Sequence, residues 1–275
     1  MQRTTAVSRP AWATAISGTG VNRKSPIEVF ATAASVLTRS PYAEASGLSA
    51  GKFGRWTDGV TAMREDCISF GSYWRAHNDR ILHDLEMGKS DGPLWVALGD
   101  STAQGLGAPA PRGGYVGQAL RQLRRRTGQR WRVLNLSVSG ALIRDVLAEQ
   151  LPLLPTTPDL VTCGVGANDI LFSAPGRLFS DLRALLTAVP DRTVMLDLPL
   201  PAGFWWLVGR MSVPYITRIN RVITEVAMDR GLPIAEVSAQ FVPPWTGKFA
   251  CDSFHPSQDG YRDWTRALLA ALPAA

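Results

Sequence analysis

Apolar and polar positions along the chain follow two regimes, with a boundary near residue 92. Before it, apolar residues recur at helical spacing. Ile27, Phe30, Ala31, Ala34 and Leu37 predict a helix over 26–40, and Ile81, Leu82 and Leu85 belong to a second over Val60–Glu86. Segment 41–58, broken by Pro41, Gly47, Gly51 and Gly54, reads as loop. Residues 1–25, rich in Thr, Ser, Gly and Arg without a period, read as flexible. After the boundary, short apolar runs alternate with helical stretches. The predicted strands are Leu94–Leu98, Trp131–Val138, Leu160–Val165, Thr193–Leu198 and Pro233–Val237. The predicted helices are Tyr115–Thr127, Leu142–Leu151, Arg177–Ala188, Pro214–Arg230 and Ser257–Ala271. This alternation implies βαβ units and a five-stranded parallel sheet, an α/β fold with right-handed crossovers. The expected organisation is a flexible 1–25, a helical extension or cap over 26–92, and an α/β domain over 93–275.

Composition narrows the function classes. A chain of 275 residues with 45% hydrophobic content can bury a full core. No apolar run is long enough to span a bilayer. The apolar patch Ala11–Ile16 between the N-terminal arginines is short and interrupted by Thr, a poor secretory segment, so a cytoplasmic location is expected. A net charge of +6 raises the question of nucleic acid. Only Arg121, Arg124, Arg125, Arg126, Arg130 and Arg132 form a dense group, and no nucleic-acid-binding signature accompanies them, so no nucleic-acid partner is expected. Arg121, Arg124 and Arg125 would share one helix face, which reads as solvated surface, with an anionic ligand such as a phosphate-bearing cofactor as the alternative. Cys67, Cys163 and Cys251 are too few and scattered for disulfides or a zinc site, and no His/Asp/Cys cluster has metal-ligand spacing.

The candidate chemistry sits where predicted strands end. Gly99-Asp100-Ser101 follows the first, Gly140 follows the second, and Gly166-Ala167-Asn168-Asp169 follows the third. Asp252-Ser253-Phe254-His255 precedes the last helix. The carboxyl ends of parallel strands converge at one edge, so residues distant in sequence meet there. A serine hydroxyl needs a base to take its proton. Of three histidines, His77 and His83 fall in the helical prelude, which leaves His255 as the base for Ser101. Asp252 is placed to hold the other imidazole nitrogen and fix its tautomer. The oxyanion of an acyl-transfer intermediate then needs donors: the N–H groups of Ser101 and Gly140 and the side-chain amide of Asn168. Asp100 and Asp169 read as structural, serving turns or neighbouring N–H groups.

These four blocks, in this order, resemble those of the SGNH (GDSL-type) hydrolases over residues 93–273. The resemblance implies a flavodoxin-like three-layer sandwich, Ser101 as nucleophile, Gly140 and Asn168 completing the oxyanion hole, His255 as base and Asp252 as its orienting carboxylate. Thr102 departs from the Leu of the family name. The implied activity is esterase or thioesterase cleavage of a short- or medium-chain acyl (thio)ester through an acyl-enzyme on Ser101. The alternative is an acyltransferase moving a medium-chain acyl group from acyl-CoA to a sugar hydroxyl, in the manner of the mycobacterial octanoyltransferase. A non-catalytic carbohydrate- or lipid-binding module is a third reading, opposed by the completeness of the set. Expected partners are thus a small acyl ester, acyl-CoA or an acylated sugar. No cofactor is expected, with acyl-CoA as a candidate donor whose phosphates the 121–132 arginines would meet. Phe204, Trp205, Trp206 and Leu207, in the apolar loop after the fourth strand, are the candidate acyl-binding residues.

Overall fold

The computed structural model describes residues 50–89, 91–200 and 206–273. Helix α1 (Ala50–Glu86) precedes β1 (Leu94–Gly99), α2 (Ser101–Gln104), α3 (Tyr115–Thr127) and β2 (Arg132–Asn135). Then come α4 (Ile143–Asp145), β3 (Leu160–Gly164), α5 (Asp169–Phe172), α6 (Pro175–Ala188) and β4 (Thr193–Leu196). The chain closes with α7 (Trp206–Arg230), β5 (Ile234–Ala235), α8 (Val237–Gln240) and α9 (Gly260–Ala270).

All strand pairs are parallel, in the order β2-β1-β3-β4-β5, the flavodoxin-like arrangement. The central strand β1 is buried throughout and feeds both faces of the sheet. Leu94, Val96 and Leu98 enter a core with Leu178, Leu182 and Leu186 of α6 and Ile219 and Ile223 of α7. Trp95 and Ala97 enter the other, with Tyr115, Ala119 and Leu123 of α3 and Trp264 and Leu268 of α9. Strand alternation thus produces the three layers. Each large side chain buried this way contributes about 1.5–3 kcal/mol.

Helix α1 closes the β2 edge, where unpaired backbone groups would otherwise face outward. Met63, Phe70, Trp74, His77 and Leu82 form its buried side. Asn78 acts as a surrogate strand: its Nδ2 donates to the Asn135 carbonyl at 2.8 Å and its Oδ1 accepts the Asn135 N–H at 3.0 Å. His77 Nε2 lies 3.1 Å from the Val133 carbonyl, so in this pair the imidazole is the donor.

Several element boundaries differ from the sequence pattern. Helix α1 starts at Ala50, so the loop expected to Asp58 is helical over its last part. Gly51 and Gly54 lower helix propensity by about 1 kcal/mol each without forbidding helix. Helix α7 starts at Trp206 and runs through Pro214, which suits a first turn but here sits inside. The helix expected over Leu142–Leu151 is an α turn, a π-helical segment Val146–Gln150 and a 3₁₀ turn. The last helix begins at Gly260 because the Ser257 hydroxyl accepts the Asp259 and Gly260 N–H groups, both at 3.2 Å. The predicted 1–25 segment and 26–40 helix lie outside the described residues.

Candidate active site

The nucleophile candidate stands on a strand-to-helix turn. Gly99 ends β1 with φ 147°, and a Cβ there would collide with the Gly164 carbonyl of β3, so only glycine lets the two strand ends close. Asp100 then caps α2: its Oδ1 accepts the Thr102 N–H at 2.9 Å and the Thr102 hydroxyl at 2.8 Å. Thr102, the departure from the family name, thereby adds a bond to the cap. Burial pushes the Asp100 carboxyl up, against these bonds. These contacts are those of a helix cap, the kind of role the sequence reading expected of Asp100. Ser101 becomes the first residue of α2, and helix geometry leaves its N–H without an intrahelical partner.

The base candidate reaches Ser101 from a local turn. His255 Nε2 lies 2.8 Å from Ser101 Oγ, and His255 Nδ1 lies 2.5 Å from Asp252 Oδ2. The other Asp252 oxygen accepts the N–H groups of Phe254 and His255, each at 3.0 Å. Ser253, at φ 55°, bends the chain so that both donors face the carboxylate. Burial pushes the Asp252 carboxyl up, but the His255 charge and these hydrogen bonds outweigh it and hold it below its ordinary value. Ser101, Asp252 and His255 are all buried. An ionised carboxylate on Nδ1 fixes the proton there and leaves Nε2 free to accept from Ser101.

The oxyanion-hole candidates are joined to each other. Gly140 turns the chain at φ 81°. Asn168 Nδ2 donates to the Ala141 carbonyl at 3.1 Å, using one amide hydrogen and leaving the second. Asp169 Oδ2 accepts the Ile143 N–H at 2.9 Å and Oδ1 accepts the Ser173 hydroxyl at 2.8 Å. Asn168 and Asp169 thus fasten the stretch after Gly140 to the end of β3. Burial pushes the Asp169 carboxyl up to about 6.

Other expected residues fall elsewhere. Phe204 and Trp205 lie outside the described residues, and Trp206 and Leu207 open helix α7 rather than continuing a loop. Arg132 pairs with Leu94, the first residue of β1, so the Arg130–Arg132 end of the basic group lies at the amino edge, away from Ser101. Arg124, Arg125 and Arg126 fill the last turn of α3, at the end of that helix farthest from the Ser101 turn. The Arg121 and Arg124 guanidinium groups instead hold the Arg112 and Trp131 carbonyls. Cys67 contacts the Ser139 hydroxyl, and burial pushes its thiol up to about 11, which keeps it an unreactive thiol. Cys251 is exposed.

Buried amides are what the sequence reading missed. Gln150, on the π-helical segment, holds Gly99 from both sides: Oε1 accepts its N–H at 2.9 Å and Nε2 donates to its carbonyl at 2.8 Å. Asn220 holds Leu198 after β4 in the same way, at 2.9 and 2.8 Å. Gln104 and Asn135 join α2 to the loop after β2. A signal existed only for Gln150, a polar residue one helical turn after the buried Val146 on the core-facing side.

A parallel sheet bearing a serine, a histidine and an aspartate at its carboxyl edge defines an α/β hydrolytic scaffold. Residues 97–262 match the model of the GDSL-like Lipase/Acylhydrolase family, and the chain belongs to this family. It is an enzyme of the SGNH hydrolase type. Among solved structures, it is similar to an acetyl xylan esterase from Geobacillus stearothermophilus, at 21% identity and TM-score 0.54, over 67% of this chain and 96% of that one. TesA is similar at 24% identity and TM-score 0.53, over 65% and 97%. LAE5, an alpha/beta hydrolase from the metagenome of Lake Arreo in Spain, is similar at 23% and 0.52, over 66% and 94%. At these identities the likeness establishes the fold. No curated protein matches the chain. No helix among the described residues is long and apolar enough to cross a membrane.

Proposed function

We propose that the protein cleaves a short- or medium-chain acyl ester or thioester through an acyl-enzyme on Ser101. The observation that carries this reading is the continuous buried chain from Ser101 Oγ through His255 to Asp252. His255 takes the Ser101 proton as Oγ attacks the acyl carbonyl, and Asp252 stabilises the imidazolium that forms. The N–H groups of Ser101 and Gly140 and the second amide hydrogen of Asn168 receive the oxyanion. His255 then returns the proton to the leaving group. Water, activated by the same imidazole, resolves the acyl-enzyme. The reaction runs on side chains and backbone, without a cofactor. Val138 on the loop before Gly140, Leu171 on α5 just after Asn168, and Leu200 after β4 are exposed and apolar, and favour an apolar acyl group. Three cysteines scattered along the chain fit the cytoplasmic location proposed here.

An acceptor hydroxyl, such as that of a sugar, can replace water in the last step, and product analysis separates the two outcomes. The protein is given a medium-chain acyl-CoA or activated ester, with and without a soluble sugar, beside Ser101→Ala. Free acid in both mixtures, absent with Ser101→Ala, is the expected result. Acylated sugar with little free acid makes the enzyme a transferase. Equal turnover by Ser101→Ala overturns the reading.

A further inference from the structure

Gln104 ends α2, one helical turn after Ser101, and is buried. Its side chain leaves α2 for the loop after β2. Nε2 donates to the Ser137 carbonyl at 2.8 Å, and Oε1 accepts the Ser139 hydroxyl at 2.6 Å. Ser139 immediately precedes Gly140. A second buried amide supports the joint: Asn135 Nδ2 donates to the Ala103 carbonyl at 2.8 Å, and its Oδ1 accepts the Ser137 hydroxyl at 2.5 Å. On the outer side, Trp74 of α1 donates its Nε1–H to the Gln104 carbonyl at 2.9 Å. Gln104 is therefore fixed at its backbone by α1 and spends both ends of its amide on the two residues flanking Val138.

An oxyanion hole made of donors from separate segments works only if those segments keep a fixed spacing, since its contribution depends on donors placed at about 2.7–3.1 Å from the developing charge. Ser101 belongs to α2 and Gly140 to the loop, and Gln104 bridges the two with donor and acceptor at once. We propose that Gln104 is a positioning residue that sets the Gly140 N–H against the Ser101 oxyanion site. The proposal rests on the reading of Ser101 as nucleophile and Gly140 as donor. Displacing a donor weakens transition-state binding and leaves ground-state binding in place, so the cost falls on kcat.

The test replaces Gln104 by Met, which keeps the side-chain volume and removes both bonds. Rates are expressed per site titrated with a fluorophosphonate, so that a partly unfolded preparation does not count as slow. Gln104→Met is expected to lower kcat about 10–100-fold, less than outright loss of a donor, with KM nearly unchanged. A boronic acid, which forms a tetrahedral adduct on Ser101, is expected to lose affinity by the same factor as kcat/KM, while inhibition by the carboxylate product stays at the wild-type value. Ser139→Ala removes one of the two bonds and is expected to have a smaller effect of the same kind, not additive with Gln104→Met. If Gln104→Met does not fold, Ser139→Ala carries the same readouts. Wild-type kcat per titrated site, or boronate and product affinities that fall together, overturns the proposal. Undiminished turnover by Ser101→Ala is a different failure, that of the underlying reading.

Discussion

Asp252 and His255 sit in one short turn whose own backbone supplies the hydrogen bonds, whereas Ser101, Gly140 and Asn168 sit on three separate strand ends. The first group is oriented by a carboxylate that accepts Phe254 N–H, His255 N–H and the imidazole. The second is held by side chains from elsewhere: Gln150 on Gly99, Gln104 on Ser137 and Ser139, and Asp169 on Ile143. The base side is local and self-contained. The nucleophile side depends on long-range polar contacts in a buried setting, where each unmet group is costly. Substitutions on the two sides should therefore fail differently: chemistry lost on a sound fold at the base, and stability lost together with rate, or instead of it, where a holding side chain of the nucleophile side is removed.

Asp252→Asn gives the largest expected effect. An asparagine Oδ1 can still accept the two backbone N–H groups, so the turn survives. Its amide nitrogen then faces Nδ1, which must become the acceptor, and the proton moves to Nε2, where it blocks acceptance from Ser101. A fall in kcat of about 10⁴-fold is expected from this tautomer change. Unfolding midpoints should stay close to wild type. Steady-state kinetics with circular dichroism checks both halves, and a large drop in stability with modest loss of rate would reverse the assignment.

Gln150→Met should show the opposite pattern. It strands the Gly99 N–H in the core, while the Gly99 carbonyl keeps the Val138 N–H at 3.2 Å. A loss of about 1–3 kcal/mol is expected for the unmet buried donor. Urea denaturation measures it, with kcat per folded molecule changing less than in the Gln104 variant.

The base side was legible in the sequence because Asp252 and His255 are three residues apart and few alternatives exist among three histidines. The sheet was legible too: β1, β3 and α3 fall within a residue or so of the pattern, because strands buried on both faces are almost wholly apolar. Gln104 was not legible, since a glutamine that clamps a distant backbone looks like any surface glutamine until the chain is folded, and Gln150 showed only its spacing from the apolar Val146. The start of α7 was misread because Pro214 marks a first turn in most contexts, whereas here it sits, exposed, inside the helix.

The response of Asp169 to pH sharpens the contrast with Asp252. Burial raises Asp169 to about 6 from an ordinary 3.8, whereas Asp252 is held below that value. A carboxyl raised in the native state favours folding while protonated. Its contribution is full below about pH 4 and is lost as pH rises through about 6, on the order of 3 kcal/mol across the interval. Denaturation midpoints of wild type and Asp169→Asn between about pH 4 and pH 7 isolate this term. The difference between the two should narrow or change sign across that window, and parallel profiles would mean that Asp169 is solvated.

The central claim, a covalent acyl-enzyme on Ser101 formed with His255 as base, is tested most directly by rapid acid quench with an activated medium-chain ester, followed by intact and peptide mass spectrometry. The account predicts a burst approaching one acyl group per titrated site, with the added mass on the peptide carrying Ser101 and absent from Ser101→Ala. Turnover with no acylated protein, or acyl mass on another residue, would contradict it.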